Sequence, residues 1–356
     1  MNTGRNSGYV QRSYMNRGGH SYYSRTYYDH GHYYSAVYRG YYWGGHAYYG
    51  WHPGFWFHPG FYAWGYRPWG APVYWGVGLW GWGGAPWYGF YGGWFAPYPY
   101  YAGPAFWLTD YLIAAELQSA YAARAEANAE ADADAMASSN YGSDSGSAPA
   151  SAGVTLTPEV KQAIADEVKA ELAAQQAQAA QDSGSSAQAA PAPSNNPAPA
   201  NDSDQLPPAL DPARRTFVVD NNLTLVANGQ ECELTGGDVL TRLTDTPDGD
   251  NMVNASVSAS KKSECAAGAT VAVKVDDLQE MQNHFAQQLN NGLSELAKKQ
   301  GTGDMPKAPD TSTVASDIPA PQPDTTAEKT LQDQQAAADQ AEAQVKQEAA
   351  AAGGSQ

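Results

Sequence analysis

The clearest alternation of apolar and polar positions runs from Val253 to Ala259, where Val253, Ala255, Val257 and Ala259 are separated by Asn254, Ser256 and Ser258. A second follows, with Ala269, Val271, Val273 and Val275 on one face and Thr270, Ala272 and Lys274 on the other. A period of two predicts strands with one buried face. Upstream, Phe217–Val219 and Leu223–Ala227 read as short strands, and Asn228-Gly229 is a tight-hairpin dipeptide. Cys232 and Leu234 then share a strand face opposite Glu231 and Glu233, and Gly236-Gly237 leads into a strand at Asp238–Leu243. Five or six short strands in about 60 residues predict a small closed or nearly closed β-barrel.

Helical spacing follows the strands. Asp276 caps a helix whose apolar positions are Leu278, Met281, Phe285, Leu289, Leu293 and Leu296, a single stripe expected to close one end or side of the barrel. Gly292 weakens that helix near its end. Further upstream, Thr157-Pro158-Glu159 is a helix start, and Val160, Ile164, Val168 and Leu172 step by four. This stripe either docks on the barrel or self-associates. An earlier helix, from about Thr109-Asp110 to Met136, opens with Tyr111, Leu112, Ile113 and Leu117 and continues in Ala, Glu and Asp. It reads as a solvated stalk, with packing of its first turns on a partner helix as the alternative.

Composition sets the first third apart. Of 43 aromatic residues, 39 lie in residues 1–112, with 22 of the 36 glycines, while Val10 and Val37 are the only branched aliphatics before Val73. That mixture predicts no ordinary core. The expected fold class is a mostly disordered chain with one small β-barrel and its C-terminal amphipathic helix, and isolated helices elsewhere. Residues 1–107 are a Gly/Tyr/Trp/His-rich low-complexity region, 108–137 a helix, 138–153 a linker and 154–181 the amphipathic helix. Residues 182–213 are an Ala/Pro/Ser linker, 214–299 the barrel with its helix, and 300–356 a disordered Pro/Ala/Gln-rich tail.

Charge divides the chain in the same way. Residues 1–110 carry +4, residues 111–210 carry −10 and residues 211–356 carry −11. An acidic body disfavours nucleic acid except at the N-terminal third. Residues 68–109 hold no charge, but Gly and Pro interrupt them, so contact with a membrane surface is open to them and a transmembrane helix is not expected. Met1 is followed by polar residues and Arg5, with no apolar export segment.

Candidate chemistry is sparse. Cys232 and Cys265 are the only cysteines. In an oxidising compartment a bond between them closes a loop of about 34 residues, worth roughly 3–4 kcal/mol on the chain-entropy model. The alternative is two free thiols. Six of seven histidines lie in the first third, and His52-Pro53-Gly54-Phe55 recurs as His58-Pro59-Gly60-Phe61. His30, His32, His52 and His58 are the candidate metal ligands, set against the plainer reading that His accompanies Tyr and Gly in a hydrated tract. Gly76, Gly78 and Gly81 match a dinucleotide pattern only formally, with no strand before them and tryptophans where phosphate would sit. No catalytic residue and no cofactor is read from the chain.

Leu223–Val275, with the Gly236–Leu240 strand entry, the Pro247–Gly249 loop and Gly268 before the last strand, resembles a bacterial SH3-like barrel. That family's ligand grooves are aromatic, and Phe217 is the only aromatic between Arg214 and Val275, so peptide recognition in the usual groove is not implied. The architecture as a whole resembles bacterial exported envelope proteins in composition. The functional expectation is a non-catalytic cell-envelope or secreted protein, structural or adhesive, with the Gly/aromatic region for association and the barrel as an interaction module. Its partners are an envelope polymer, a surface or its own copies. The alternatives are a nucleic-acid or condensate-associated protein and a His-rich metal-binding protein.

Overall fold

A computed structural model describes residues 8–29, 32–54, 69–138, 156–184, 205–227, 229–261, 265–307 and 321–353. Four strands, β1 (Tyr9–Arg17), β2 (His20–Asp29), β3 (His32–Trp43) and β4 (His46–His52), form an antiparallel meander inside the tract expected to be unstructured. Gly18-Gly19 and Gly44-Gly45 turn two of its hairpins with φ of 60° and 84°, and 59° and 84°. Two successive left-handed residues match the twist of the flanking strands, and glycine adopts them without steric cost.

The fold-class expectation failed here because tyrosine is apolar along its ring and polar at its tip. A strand carrying Tyr on both faces shows no contrast between positions, yet it still buries rings. Tyr22, Tyr27, Tyr38, Tyr41 and Tyr48 are all buried. Arg25 lies among them at 1 % exposure, its guanidinium 4.4 Å from the Tyr9 ring centre and 4.2 Å from that of Tyr38. It donates to Gln11 and to Glu280, both at 2.8 Å, so the buried charge is paired and solvated by π-faces.

The Trp-rich segment that follows also builds a core. A two-stranded ribbon, β5 (Val73–Tyr74) with β6 (Tyr100–Tyr101), brackets two short helices, α1 (Val77–Trp80) and α2 (Pro86–Tyr91). The long helix α3 (Pro104–Ser138) leads out of it. Trp80 is stacked on Trp82 at 4.4 Å and on Trp107 at 4.5 Å, and Trp107 continues the stack to Tyr111. Each such ring buries on the order of 150–250 Å², so aromatic residues replace the missing aliphatics. Leu108, Leu112, Ile113 and Leu117 of α3 complete this core, so the first turns of α3 are packed rather than a solvated stalk.

The expected strands of the disulfide-bearing region are present as β7 (Thr216–Val218), β8 (Leu223–Ala227), β9 (Gln230–Leu234), β10 (Val239–Arg242), β11 (Met252–Ala259) and β12 (Thr270–Lys274). They form an open six-stranded sheet in the order β7-β10-β11-β12-β8-β9, not a closed barrel. β12 and β8 meet at the single pair Val271–Ala227, so the β8–β9 hairpin hangs from the sheet and β7 and β9 remain edges. Cys232 and Cys265 are bonded, with Cα atoms 5.1 Å apart, which ties edge strand β9 to the segment between β11 and β12.

Helix α5 (Val275–Lys299) joins the three sheet-and-helix regions. Its stripe divides: Leu278 and Met281 enter the core of the six-stranded sheet, while Phe285, Leu289, Leu293 and Leu296 enter the tryptophan core. A polar face turns to the tyrosine sheet. The Asn283 carboxamide accepts from Trp51 N at 2.7 Å and donates to Tyr49 O at 2.9 Å, closing backbone groups on edge strand β4. Helix α4 (Pro158–Gly184) docks through Ile164, Val168 and Leu172 on the tryptophan core, and its Glu167 and Glu171 clasp Arg214 before β7. The tail forms α6 (Thr325–Gly353), whose buried Ala327 and Leu331 belong to its first turns; Leu331 reaches Gly8 beside β1. Residues 139–155, 185–204 and 308–320, and the repeat's second copy at 58–61, lie outside the described residues, whereas Ala209 and Leu210, within the expected linker 182–213, are buried in the core of the six-stranded sheet. Among the described residues no helix is long and apolar enough to cross a membrane.

Candidate contact cleft

The Arg17-Gly18-Gly19-His20 hairpin ends β1 and begins β2, which puts Arg17 and His20 side by side at one end of the tyrosine sheet. Arg39 joins them from β3, where it pairs with Tyr22 of β2. Gln178 and Gln181 arrive from the last turns of α4. Together these residues line a cleft of about 280 Å³. Arg39 is buried, its guanidinium 4.9 Å from the Tyr41 ring centre, and it contacts the His20 ring nitrogens at 2.8 and 3.1 Å and the Gln205 carboxamide. Guanidinium can only donate, so the His20 nitrogen it meets is the acceptor. The lining offers guanidinium and carboxamide donors at fixed positions, which suits an anionic oxygen group.

A second polar cluster is sealed. Asp110, fully buried on α3, pairs with Lys161 of α4 at 2.7 Å and accepts from Tyr101 Oη at 2.8 Å and Tyr98 N at 2.5 Å. Lys161 also donates to Ala96 O at 2.8 Å and sits 3.6 Å from the Tyr98 ring centre. Burial pushes the Asp110 carboxyl up and the Lys161 ammonium down, with their mutual attraction opposing both shifts. Burial, with the Asp110 charge adding to it, pushes the Tyr98 phenol up to about 12 and holds that of Tyr101 far above its usual range. Perturbed titration marks many active sites, but these groups are satisfied by one another inside the core. They pin α3, α4 and the β5–β6 segment together.

Of the four histidines expected as metal ligands, His32 and His52 are among the described residues. His30 and His58 lie outside the described residues. His32 is exposed at the start of β3, whereas His52 is buried at the end of β4, its ring edge-on to Tyr22 and its Nδ1 accepting from Gly54 N at 3.0 Å. Among the described residues no group of three His, Cys, Asp or Glu side chains could hold a metal ion. His20, not one of those four, is the histidine in the cleft; the signal that could have found it is the glycine pair beside it, flanked by Arg17. Arg39 and the α4 glutamines carried no signal, because only the sheet register and helix docking bring them there. Compared with known protein families, curated proteins and solved structures, the chain matches none.

Proposed function

We propose that this chain is a non-catalytic, extracytoplasmic contact protein whose tyrosine sheet engages an anionic polymer of the cell envelope. The observation that carries this reading is the convergence of Arg17, His20 and Arg39 on one cleft of an otherwise acidic protein. The +4 charge of residues 1–110 against −21 for the remainder steers an anionic chain to this end of the molecule. The Cys232–Cys265 bond is compatible with an oxidising compartment and supports the location. Aromatic rings at the sheet's other end, Tyr9, Tyr28 and Tyr34, are exposed and offer stacking faces along the same sheet.

Co-sedimentation or calorimetry of the full chain with polygalacturonate tests the reading, with neutral dextran as the reference. Binding to the acidic polymer that weakens with salt and falls at least several-fold in Arg17→Gln is expected. Equal binding to dextran, or binding unaffected by Arg17→Gln and Arg39→Gln in folded protein, contradicts it. Tighter binding to single-stranded oligonucleotide than to polygalacturonate would favour the nucleic-acid reading instead.

A further inference from the structure

The β5–β6 ribbon separates its four side chains cleanly between inside and outside. Val73 and Tyr101 point into the tryptophan core at 2 % and 0 % exposure, whereas their neighbours Tyr74 and Tyr100 are 48 % and 62 % exposed. Tyr74 and Tyr100 are direct cross-strand partners with ring centres 5.5 Å apart and planes tilted by 59°. The inner pair anchors the ribbon while the outer pair holds two phenols side by side in solvent. Among the described residues, other close tyrosine pairs are less accessible. Tyr27–Tyr34 is stacked, with Tyr27 buried and its hydroxyl donated to Tyr38; Tyr28–Tyr33 has one half-buried ring.

We propose that Tyr74 and Tyr100 are an oxidative modification site, joined by peroxide and a peroxidase into an intrachain dityrosine. Each phenol gives up one electron and its hydroxyl proton, and hydrogen peroxide, the oxidant, is reduced to two waters. The two phenoxyl radicals form one carbon–carbon bond between ring carbons ortho to the oxygens. The hydrogens displaced from those carbons return to the oxygens, so the product has lost two hydrogens and keeps both hydroxyls. Exposed side chains change rotamer in picoseconds to nanoseconds, so the rings sample facing orientations readily. The bond closes the Trp-rich excursion between β5 and β6 into a covalent loop, a second staple beside the cysteine bridge.

Treating the folded full chain with a haem peroxidase and hydrogen peroxide, then mapping proteolytic peptides by mass spectrometry, tests this. The expected result is dityrosine fluorescence in the monomer and a peptide pair containing Tyr74 and Tyr100 that is two hydrogens lighter. Most of that fluorescence is expected to be lost in Tyr74→Phe and in Tyr100→Phe, which keep the rings; Tyr28→Phe is expected to retain it. Undiminished fluorescence in Tyr74→Phe, cross-links only between chains, or no dityrosine at all would overturn the proposal. Near-ultraviolet circular dichroism of each variant shows whether the aromatic core is intact.

Discussion

Asp110 and Lys161 show how a buried charge is held at the scale of single residues. Desolvation dominates both groups, so the pair contributes little net stability, but either member alone would be an uncompensated charge in the core. Lys161→Met is therefore expected to cost about 3–5 kcal/mol in urea unfolding at neutral pH. The pH dependence has a definite sign. A carboxyl whose folded pKa stands above its usual 3.8 binds its proton more tightly in the native state, so its contribution is most favourable at low pH and declines as pH rises through the folded value. With Lys161 gone that upward shift grows, so the urea midpoint of Lys161→Met, relative to wild type, should recover as the solution is acidified from pH 7 towards 5. A relative midpoint that is flat or falls on acidification would show that Asp110 is not the group left unpaired.

Helix α5 packs closely against α3 at Gly292. Glycine there looks like a weakness when only helix propensity is considered. In the structure a Cβ at Gly292 would lie 2.8 Å from both Leu108 and Tyr111 of α3, so the glycine sets how closely α3 and α5 cross. Gly292→Ala gains about 1 kcal/mol of helix propensity, yet overpacking of this kind costs about 1–3 kcal/mol. The expected net effect is a lower thermal midpoint, and an unchanged or higher midpoint would show that the crossing is looser than this. Much of α5 was legible in advance: its apolar stripe and the strands before it follow from period, although the helix starts at Val275 with Lys274 as its N-cap, so the expected cap Asp276 lies in the first turn. What the stripe covers was not, because one apolar face can serve two cores in succession and period does not say where the division falls. The tyrosine strands failed for the opposite reason. Gly-Gly is a hairpin signal, but Tyr at adjacent positions such as Tyr22-Tyr23 and Tyr27-Tyr28 erases the alternation that marks a strand, so the tract was expected to be unstructured. In the cleft, the glycine pair between Arg17 and His20 is the one sequence signal, and nothing in the sequence places Arg39, Gln178 and Gln181 beside it.

Across the whole molecule, the tyrosine sheet, the tryptophan core and the disulfide-linked sheet share α5, and Asn283, Phe285 and Met281 on one helix reach these three in turn. Such sharing makes the described residues of the first third part of the folded body, where the proposed contact cleft and the Tyr74–Tyr100 pair both need fixed positions to act. Amide hydrogen exchange of the full chain tests this most directly, since it reads protection along the backbone region by region. Strands β2 to β4 and the first turns of α3 should exchange as slowly as α5 and the six-stranded sheet, with the Trp51 amide held by Asn283 among the protected sites. Exchange at unstructured rates through residues 20–52 and 104–117, with protection confined to residues 216–299, would contradict the account.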